Sequence, residues 1–378
     1  MTTERALFVA YSAHLSGQGG VQLCTAEFLA ALEAAGFALD VVPVETDRRL
    51  ATRLARRVIA SPYFRAISAG DRAEIRTRAR GARFVFINQM NLAGSFDESD
   101  LGKVPAIGLS HGCEITDQVH LARLAKVLPL TTSQLRPHPT IALGRTLRDE
   151  IAARRHLAGT IAISPFDAAC ERWLGTRNVC CVPRTIVPAS LMRSPVTGRF
   201  GYVGTLDHAP NLEGLEAVLT ELDRVPASGI TVRIVGGPER IGRWLAARHK
   251  AVEYLGPLDD PALAIEAASW SGFIHPIFCL PRGCSTKLSG AIAWGLPVVT
   301  TAQGRRGYDW REGQLVEVDT PAGFVTAMQA LDDPAANSAA AADVRKIAES
   351  GPTTADVASQ IARFLDEISA PDAKGAKP

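Results

Sequence analysis

Short apolar runs recur along most of this chain, and segments with helical spacing of apolar residues separate them. In the first half, Ala6–Tyr11, Phe84–Asn88 and Val104–Ser110 have the composition of strands that are buried on both faces. The second half repeats the pattern, for example at Phe200–Gly204 and Val232–Gly237. Strands that alternate with helices are typical of parallel sheets covered by helices. The sequence therefore predicts an α/β fold with two successive doubly wound sheets.

A proline-rich interruption separates the two halves. Pro183, Pro188, Pro195 and Gly198 break the alternation within a short span, as a linker does. A chain of 378 residues with 47% hydrophobic content also suits two domains better than one modest core. We predict an N-terminal domain over 1–187 and a C-terminal domain over 188–352. A C-terminal helix over 353–369 is expected to pack back on the N-terminal domain, and 370–378 to form a disordered tail.

Composition limits the partners and the compartment. The net charge of +2 gives no general case for binding nucleic acid. The seven cysteines are odd in number and form no C-x-x-C pair, which is typical of reduced thiols in a cytosolic protein. The first residues have no secretory pattern, and no apolar stretch is long enough to cross a bilayer. We expect a cytoplasmic protein.

Residues 48–83 form a basic segment, with eleven arginines opposed only by Asp71 and Glu74. Leu50, Leu54 and Val58 interleave with the arginines at helical spacing. One interpretation is a solvated helical face that keeps the protein in solution. The other is a surface for anionic lipid headgroups, which would place the protein peripherally on the inner face of the membrane.

Pro281–Lys287 predicts a phosphate site. Gly283 makes a turn before a helix, Ser285 or Thr286 can cap that helix, and Lys287 lies in its first turn. Such a helix start offers free backbone N–H groups, the positive end of the dipole and an ammonium group. The alternative is an ordinary capped helix with a solvated lysine.

Two loops of the first half follow predicted strands. The glycine loop over 17–20 lets the backbone approach a ligand at the carboxyl edge of the sheet. It lacks the G-x-G-x-x-G spacing, and no acidic residue ends Leu39–Val44, so a nicotinamide cofactor is not expected. His111, before Gly112, also stands at a strand end, either as a ligand contact or as a structural histidine.

Several of these motifs together resemble a known family. Arg282–Gly283–x–x–x–Lys287 is followed by Ala291–Thr300 and then by Gly304–x–x–Gly307, which resembles the C-terminal half of a family-four retaining glycosyltransferase with the GT-B fold. Gly204–x–x–Asp207–x–x–Pro210–Asn211, the loop over 17–20 and His111–Gly112 are similar to other loops of that family. The resemblance spans about residues 5 to 368 and implies two Rossmann-like domains that face a cleft.

The resemblance also implies a reaction. A nucleotide-diphosphate sugar would be held mainly by the C-terminal domain, and its sugar would pass to a glycan, a lipid-linked acceptor or a small molecule in polysaccharide or glycolipid biosynthesis. Lys287 would contact the diphosphate, and His111 would touch the transferred sugar. Apart from the resemblance, the planar guanidinium of Arg282 suits phosphate oxygens, so Arg282 is either a second cation for the diphosphate or a surface arginine. Leu255 and Gly256 resemble the wall against the nucleobase, the alternative being a plain strand end. The expected substrate-binding residues are Gly19, Gly20, Gly204, Asn211, Leu255, Gly256, Gly283, Cys284, Ser285 and Thr286.

The chain departs from that family at two positions. Many members carry two glutamates eight positions apart, the second of which binds the ribose, whereas this chain has Arg282 and Gly290 there. A glycine inside a helix costs about 1 kcal/mol relative to alanine, so we expect something to approach Gly290 closely. With no D-x-D motif and no cluster of metal ligands, we expect transfer without a metal or other cofactor. A nucleotide-sugar epimerase and a catalytically silent binding protein are the alternatives.

Overall fold

The computed structural model describes residues 4–17, 19–46, 63, 67–96, 98–124, 139–225 and 228–370. These residues divide into two compact units. The first holds the described residues up to Gln118, then 139–184 and 352–370, and the second holds 119–124 and 185–351. The chain thus passes between units at 184/185 and 351/352. Residues 119–124, expected in the N-terminal domain, group with the second unit.

The first unit is built on a six-stranded parallel sheet in the order β2-β1-β3-β4-β5-β6. Its strands are β1 (Glu4–Tyr11), β2 (Phe37–Val44), β3 (Val85–Asn88), β4 (Ala106–Ser110), β5 (Gly159–Ala162) and β6 (Val179–Cys181). The connecting helices are α1 (Ser12–Leu15), α2 (Gly20–Ala34), α3 (Ala69–Ala79), α4 (Met90–Ala93), α5 (Glu98–Leu101), α6 (Glu114–Leu124), α7 (Pro139–Arg154) and α8 (Pro165–Trp173). Of α6, only the part up to Gln118 belongs to this unit. The residues of β3 and β4 are all buried, as their continuous apolar runs predict.

The second unit repeats the plan with the order β12-β11-β10-β7-β8-β9, again parallel throughout. Its strands are β7 (Val196–Val203), β8 (Thr231–Val235), β9 (Val252–Gly256), β10 (Trp270–His275), β11 (Val298–Thr300) and β12 (Val316–Glu317). Its helices are α9 (Ala209–Leu222), α10 (Glu239–Arg248), α11 (Asp260–Ala268), α12 (Thr286–Ala293), α13 (Pro321–Ala330) and α14 (Pro334–Ser350). The predicted fold class, with two doubly wound parallel sheets, is confirmed.

The strand orders fix where ligands can bind. In the second sheet the chain adds strands on one side of β7 and then, from β10 onward, on the other side. The first sheet reverses in the same way between β1 and β3. In open α/β sheets, ligands bind outside the carboxyl ends of the strands at such a reversal. The loops that follow β7 and β10 are therefore the candidate site of the second unit.

The last described helix, α15 (Thr354–Ser369), belongs to the first unit and packs against α2. A capping box between Thr353 and Asp356 starts it. Its apolar face crosses Gly159, where an added Cβ would lie 2.8 Å from side-chain atoms of Phe364. The predicted disordered tail lies, from residue 371 on, outside the described residues.

One predicted loop residue lies instead in a strand. Gly198, expected in the linker, belongs to β7 and has a φ of +75°. An added Cβ there would lie 2.3 Å from the carbonyl oxygen of Gly229. Glycine at position 198 therefore allows β7 to pass close to the backbone at Gly229. This contact explains why a glycine, which in the sequence indicates a linker, lies inside a strand.

Four of the five described arginines of the basic segment pair with carboxylates of the first unit. Arg72 and Arg76 on α3 pair with the buried Asp100 at 2.9 and 3.2 Å. Further ion pairs join Arg78 to Asp40 and Glu74, and Arg83 to Glu4 and Asp366. Arg80 is exposed. The other residues of the predicted basic face lie outside the described ranges, namely Arg48, Arg49, Leu50, Arg53, Leu54, Arg56, Arg57, Val58, Ile59 and Arg65. No helix within the described ranges is long and apolar enough to cross a membrane.

Candidate donor site at the carboxyl edge of the second sheet

Three glycine loops meet where β7, β8 and β9 end. Gly236 has a φ of +131°, and an added Cβ there would lie 1.9 Å from the carbonyl oxygen of Gly204. The Gly204 amide donates to Val235 at 2.9 Å, and the Gly236 amide donates to Gly256 at 3.0 Å. Only glycine permits this approach of backbone to backbone. The loops consequently lie side by side, with Gly204 and Gly256, both predicted site residues, on either side of Gly236.

The loop after β7 is braced from within. Asn211, in the first turn of α9, is buried and donates from Nδ2 to the carbonyl oxygen of Thr205 at 3.0 Å. At Gly214, an added Cβ would lie 1.6 Å from the carbonyl oxygen of Pro276, so α9 packs directly against the segment that follows β10. Asn211 thus shapes the loop, and the predicted contact of its side chain with substrate stays a prediction.

The turn before α12 has the conformation that the sequence predicts. Gly283 is buried with a φ of +64°, and Ser285 is the N-cap residue of α12. The Ser285 side chain makes no capping hydrogen bond, so the expected cap by that hydroxyl does not form. The first amides of α12 are therefore not occupied by the N-cap side chain. Cys284, Ser285 and Thr286 are all half-buried beside this helix start.

Two residues from the loop after β11 hold this turn in place. Arg306 donates from Nε to Pro281 O at 3.1 Å and from Nη2 to Arg282 O at 3.0 Å. The Tyr308 hydroxyl donates to Ser285 O at 2.5 Å. All three acceptors are backbone carbonyls of the turn that precedes α12. Arg306 and Tyr308 therefore fix where the amino end of α12 points.

Lys287 is not the solvated surface lysine of the alternative interpretation. It is half-buried in the first turn of α12. Burial lowers the pKa of its ammonium group, and no carboxylate among the described residues counters that shift. A cation with this environment gains most from an anion that binds beside it. The site thus combines a helix amino end with an ammonium group.

A buried histidine at the end of β10 lies close to the positive charges of this edge, and they lower its pKa. His275 is buried, and its pKa is lowered to about 3, first by burial and then by the charges of Arg306 and Lys287. The imidazole is therefore neutral, and the positive charge that acts on it comes from Arg306 and Lys287. Sequence reasoning missed His275, Arg306 and Tyr308. The Gly304–x–x–Gly307 spacing marked the loop of Arg306 and Tyr308 without identifying their contacts.

Gly290 and Arg282 occupy the positions where the chain departs from the family. Apart from its neighbours in α12, no described atom lies within 4 Å of a Cβ built at Gly290. The protein therefore does not require glycine there, and the close approach that we predicted would have to come from a ligand. Gly290 lies three residues after Lys287, so both face the same side of α12. Arg282 is half-buried, and its phosphate contact stays a prediction.

Leu255 and Gly256, predicted to form the wall against the nucleobase, border a cavity of about 750 Å³. Tyr254 and Pro257 also line it. The Tyr254 hydroxyl donates to Gly236 O at 2.8 Å, and Gly256 has a φ of +78°. The predicted wall thus lies next to the meeting point of the three glycine loops.

In the first unit, the predicted residues lie at the carboxyl edge of its own sheet. His111 follows β4, and its Nε2 lies 2.8 Å from Oδ1 of Asn88 at the end of β3. Asn88 in turn donates to Thr25 Oγ1 at 2.9 Å, which orients the amide. Gly19, with a φ of +150°, and Gly20 are exposed at the start of α2, whereas position 18 lies outside the described residues. Over the described ranges, no group of three or more His, Cys, Asp or Glu side chains could hold a metal ion.

The two units with these sheet orders define a class of protein, the GT-B fold. HepE of Anabaena in complex with UDP and glucose is similar over 96% of this chain and 99% of its own, with a TM-score of 0.60 and 15% identity. Sucrose-phosphate synthase of Thermosynechococcus elongatus is similar over 97% and 99%, with a TM-score of 0.63 and 15% identity. For the lipopolysaccharide outer core galactosyltransferase WaaB in its apo form, the coverage is 96% and 99%, the TM-score 0.57 and the identity 11%. At these identities the likeness shows the fold.

Part of the sequence of the second unit also matches a family model. Residues 197–333 match the sequence model of the family Glycosyl transferases group 1. No curated protein matches the chain at a significant level. The matched segment contains Gly204, Asn211 and the whole turn and helix around Lys287. This match confirms that the C-terminal half resembles the glycosyltransferases of group 1 and, with it, the predicted class of enzyme, a glycosyltransferase.

Proposed function

We propose that the protein transfers a sugar from a nucleotide-diphosphate sugar to an acceptor hydroxyl, with retention of configuration and without a metal ion. The acceptor is a glycan, a lipid-linked sugar or a small molecule in polysaccharide or glycolipid biosynthesis. The observation that carries this proposal is the amino end of α12. It combines a first turn without an N-cap side-chain bond, a half-buried Lys287 and a turn held by Arg306, all at the strand reversal of the second sheet.

The chemistry follows from charge. When the bond between sugar and diphosphate breaks, negative charge grows on the departing diphosphate. An ammonium group and a helix amino end that are already in place stabilise that charge more than the ground state, which lowers the barrier. Lys287 supplies the ammonium, α12 supplies the dipole and the amides, and Arg282 supplies a second cation that suits phosphate oxygens. In this proposal these groups take the part that a divalent cation would otherwise play.

We assign the other predicted substrate-binding residues to different parts of the donor, according to the unit in which they lie. Gly204, Gly256 and Leu255 offer backbone and apolar surface to the nucleoside part of the donor in the second unit. In the first unit, His111, oriented by Asn88, is assigned to the transferred sugar, and the Gly19–Gly20 turn to a backbone contact with the substrate. HepE, which shares the fold, binds UDP and glucose. We therefore place UDP-sugars first among the donors to test. We also propose that the protein acts in the cytoplasm, at the inner face of the membrane if its acceptor is lipid-linked.

A donor panel tests the proposal. The full chain is incubated with UDP-, GDP- and other nucleotide sugars, with and without a mixture of acceptors, and mass spectrometry follows the released nucleotide and the products. Nucleotide release coupled to an acceptor-linked product supports transfer. Interconversion of the nucleotide sugar without acceptor would instead indicate an epimerase, and binding without any chemistry would indicate a silent binding protein.

A further inference from the structure

A second cavity opens at the opposite edge of the second sheet. It has a volume of about 560 Å³, within the range of small-ligand pockets. Thr197 and Ser271, each the second residue of its strand, line it, so it lies at the amino ends of β7 and β10. Because β10 has six residues at about 3.3 Å each, roughly 17–20 Å of sheet separate this cavity from the Lys287 edge. It is a different place from the proposed donor site.

The cavity is bounded by one face of α14 and by the segment before β7. From α14 come Asn337, Ala341 and Arg345, which recur at helical spacing. From the other side come Leu191 and Arg193. The carboxyl end of α12, at Trp294, adds an apolar wall. The lining is thus a mixture of apolar surface and charged groups, as in pockets for small polar metabolites.

Two arginines contribute positive charge to this cavity. Nη2 of Arg193 donates to the backbone oxygens of Trp270 and Ser271, each at 3.4 Å, and to Oδ1 of Asn337 at 3.1 Å. Those acceptors are uncharged, and Nε of Arg193 is buried without any hydrogen-bond partner among the described residues. Burial and the like charge of Arg345 both lower the pKa of Arg193. The protein therefore holds two guanidinium groups near each other at a cost that a bound anion would relieve.

The same cavity contains hydrogen-bond acceptors. Asp332 and Glu349 line it, and the carboxylate of Asp332 accepts from the Gly198 amide at 2.9 Å. Inorganic phosphate would gain nothing from these carboxylates. Hydroxyl groups donate to carboxylates, so a ligand that carries both a phosphate and several hydroxyls would use both kinds of group.

We propose that this cavity binds a small phosphorylated sugar or polyol, with the phosphate on Arg193 and Arg345 and the hydroxyls toward Asp332 and Glu349. The site is separate from donor binding, because its residues stand at the other edge of the sheet. It is connected to the donor edge by α12, whose amino end presents Lys287 and whose carboxyl end lines this cavity.

Isothermal titration calorimetry of the full chain with three probes tests this site: glucose 6-phosphate, glucose and inorganic phosphate. We expect glucose 6-phosphate to bind more tightly than either of the others, and equally well when the protein is saturated with UDP. Arg345→Gln, an exposed position whose change leaves the fold intact, should weaken binding at least about tenfold through loss of a charged donor. Arg193→Gln should act in the same direction.

Two variants serve as matched controls. Arg224→Gln removes an exposed arginine of the same unit that pairs with Glu221, and Lys287→Ala alters the other edge. Both should bind glucose 6-phosphate as the unaltered chain does. Three results would each overturn the proposal: no heat with any probe, phosphate binding as tightly as glucose 6-phosphate, or binding that is lost in Lys287→Ala and kept in Arg345→Gln.

Discussion

Nδ1 of His275 lies 3.2 Å from Oγ1 of Thr300, at the carboxyl ends of the adjacent strands β10 and β11. The Thr300 hydroxyl donates to the His275 carbonyl oxygen at 3.2 Å, so the ring donates from Nδ1 to the hydroxyl oxygen. With its pKa lowered to about 3 by burial and by Arg306 and Lys287, the ring is neutral at physiological pH. His275 therefore ties two strands together without adding to the positive charge of the donor edge.

Lys287→Ala should lower the turnover of the donor by at least roughly an order of magnitude, because it removes one group that stabilises charge in the transition state. The circular dichroism spectrum and the melting temperature should stay close to those of the unaltered chain, since no described carboxylate depends on this ammonium. Initial rates with a saturating acceptor are the measurement. Arg224→Gln serves as the matched control. Unchanged turnover in Lys287→Ala would show that the diphosphate does not bind at the amino end of α12.

Arg306→Met should weaken the binding of UDP about tenfold, since the side chain loses its bonds to the carbonyls of the turn before α12. Arg306→Lys keeps the charge but not the planar fork, so it should restore only part of the affinity. Calorimetric titration with UDP measures both. If Lys restored full affinity, the charge rather than the geometry of Arg306 would matter. If the unaltered chain bound no UDP, the proposed function rather than the role of Arg306 would be in error.

Two helical glycines offer a matched pair. An added Cβ at Gly214 would lie 1.6 Å from the carbonyl oxygen of Pro276, whereas at Gly290 nothing described lies within 4 Å. Gly214→Ala should therefore destabilise the protein by about 1–3 kcal/mol or more, as overpacking does. Gly290→Ala should stabilise it by up to about 1 kcal/mol, which is the difference in helix propensity. Urea denaturation of both variants measures the difference.

The same Gly290→Ala variant tests whether the donor binds beside α12. If a nucleotide approaches α12 next to Lys287, the added methyl group should raise the KM for the donor while the fold gains stability. A variant that is more stable and has an unchanged KM would show that the donor does not contact α12 at Gly290.

The fold was largely predictable from the sequence, whereas the bracing of the site was not. The apolar run after Gly295 and the turn at Gly283 predict β11 and α12 because both signals are local. Arg306 and Tyr308 lie more than twenty residues after the turn that they hold, and their partners there are backbone carbonyls, which every residue type carries. No residue pattern indicates such contacts. Asn211 shows the same limit, since its motif was found but its bond to Thr205 depends on the path of the backbone.

A buried carboxyl in the first unit should make stability depend on pH. Glu150 accepts from the Tyr63 hydroxyl at 2.9 Å and from the Ile115 amide, and its Oε2 is buried without a partner among the described residues. Burial raises its pKa from 4.5 to about 7. Between these values the folded protein binds more protons than the unfolded chain, so the free energy of unfolding falls as the pH rises, by roughly 3 kcal/mol in total.

Glu150→Gln isolates this contribution, because glutamine keeps the shape and stays neutral at every pH. We expect the variant to lose the fall in stability between about pH 4.5 and 7 and to be more stable than the unaltered chain at pH 8. Urea denaturation across this range measures both curves. Asp149→Asn, the neighbouring and more exposed carboxyl, is the matched control and should follow the unaltered chain. Parallel curves for Glu150→Gln and the unaltered chain would show that the pKa of Glu150 is the same in the folded and unfolded chain, and that burial does not raise it.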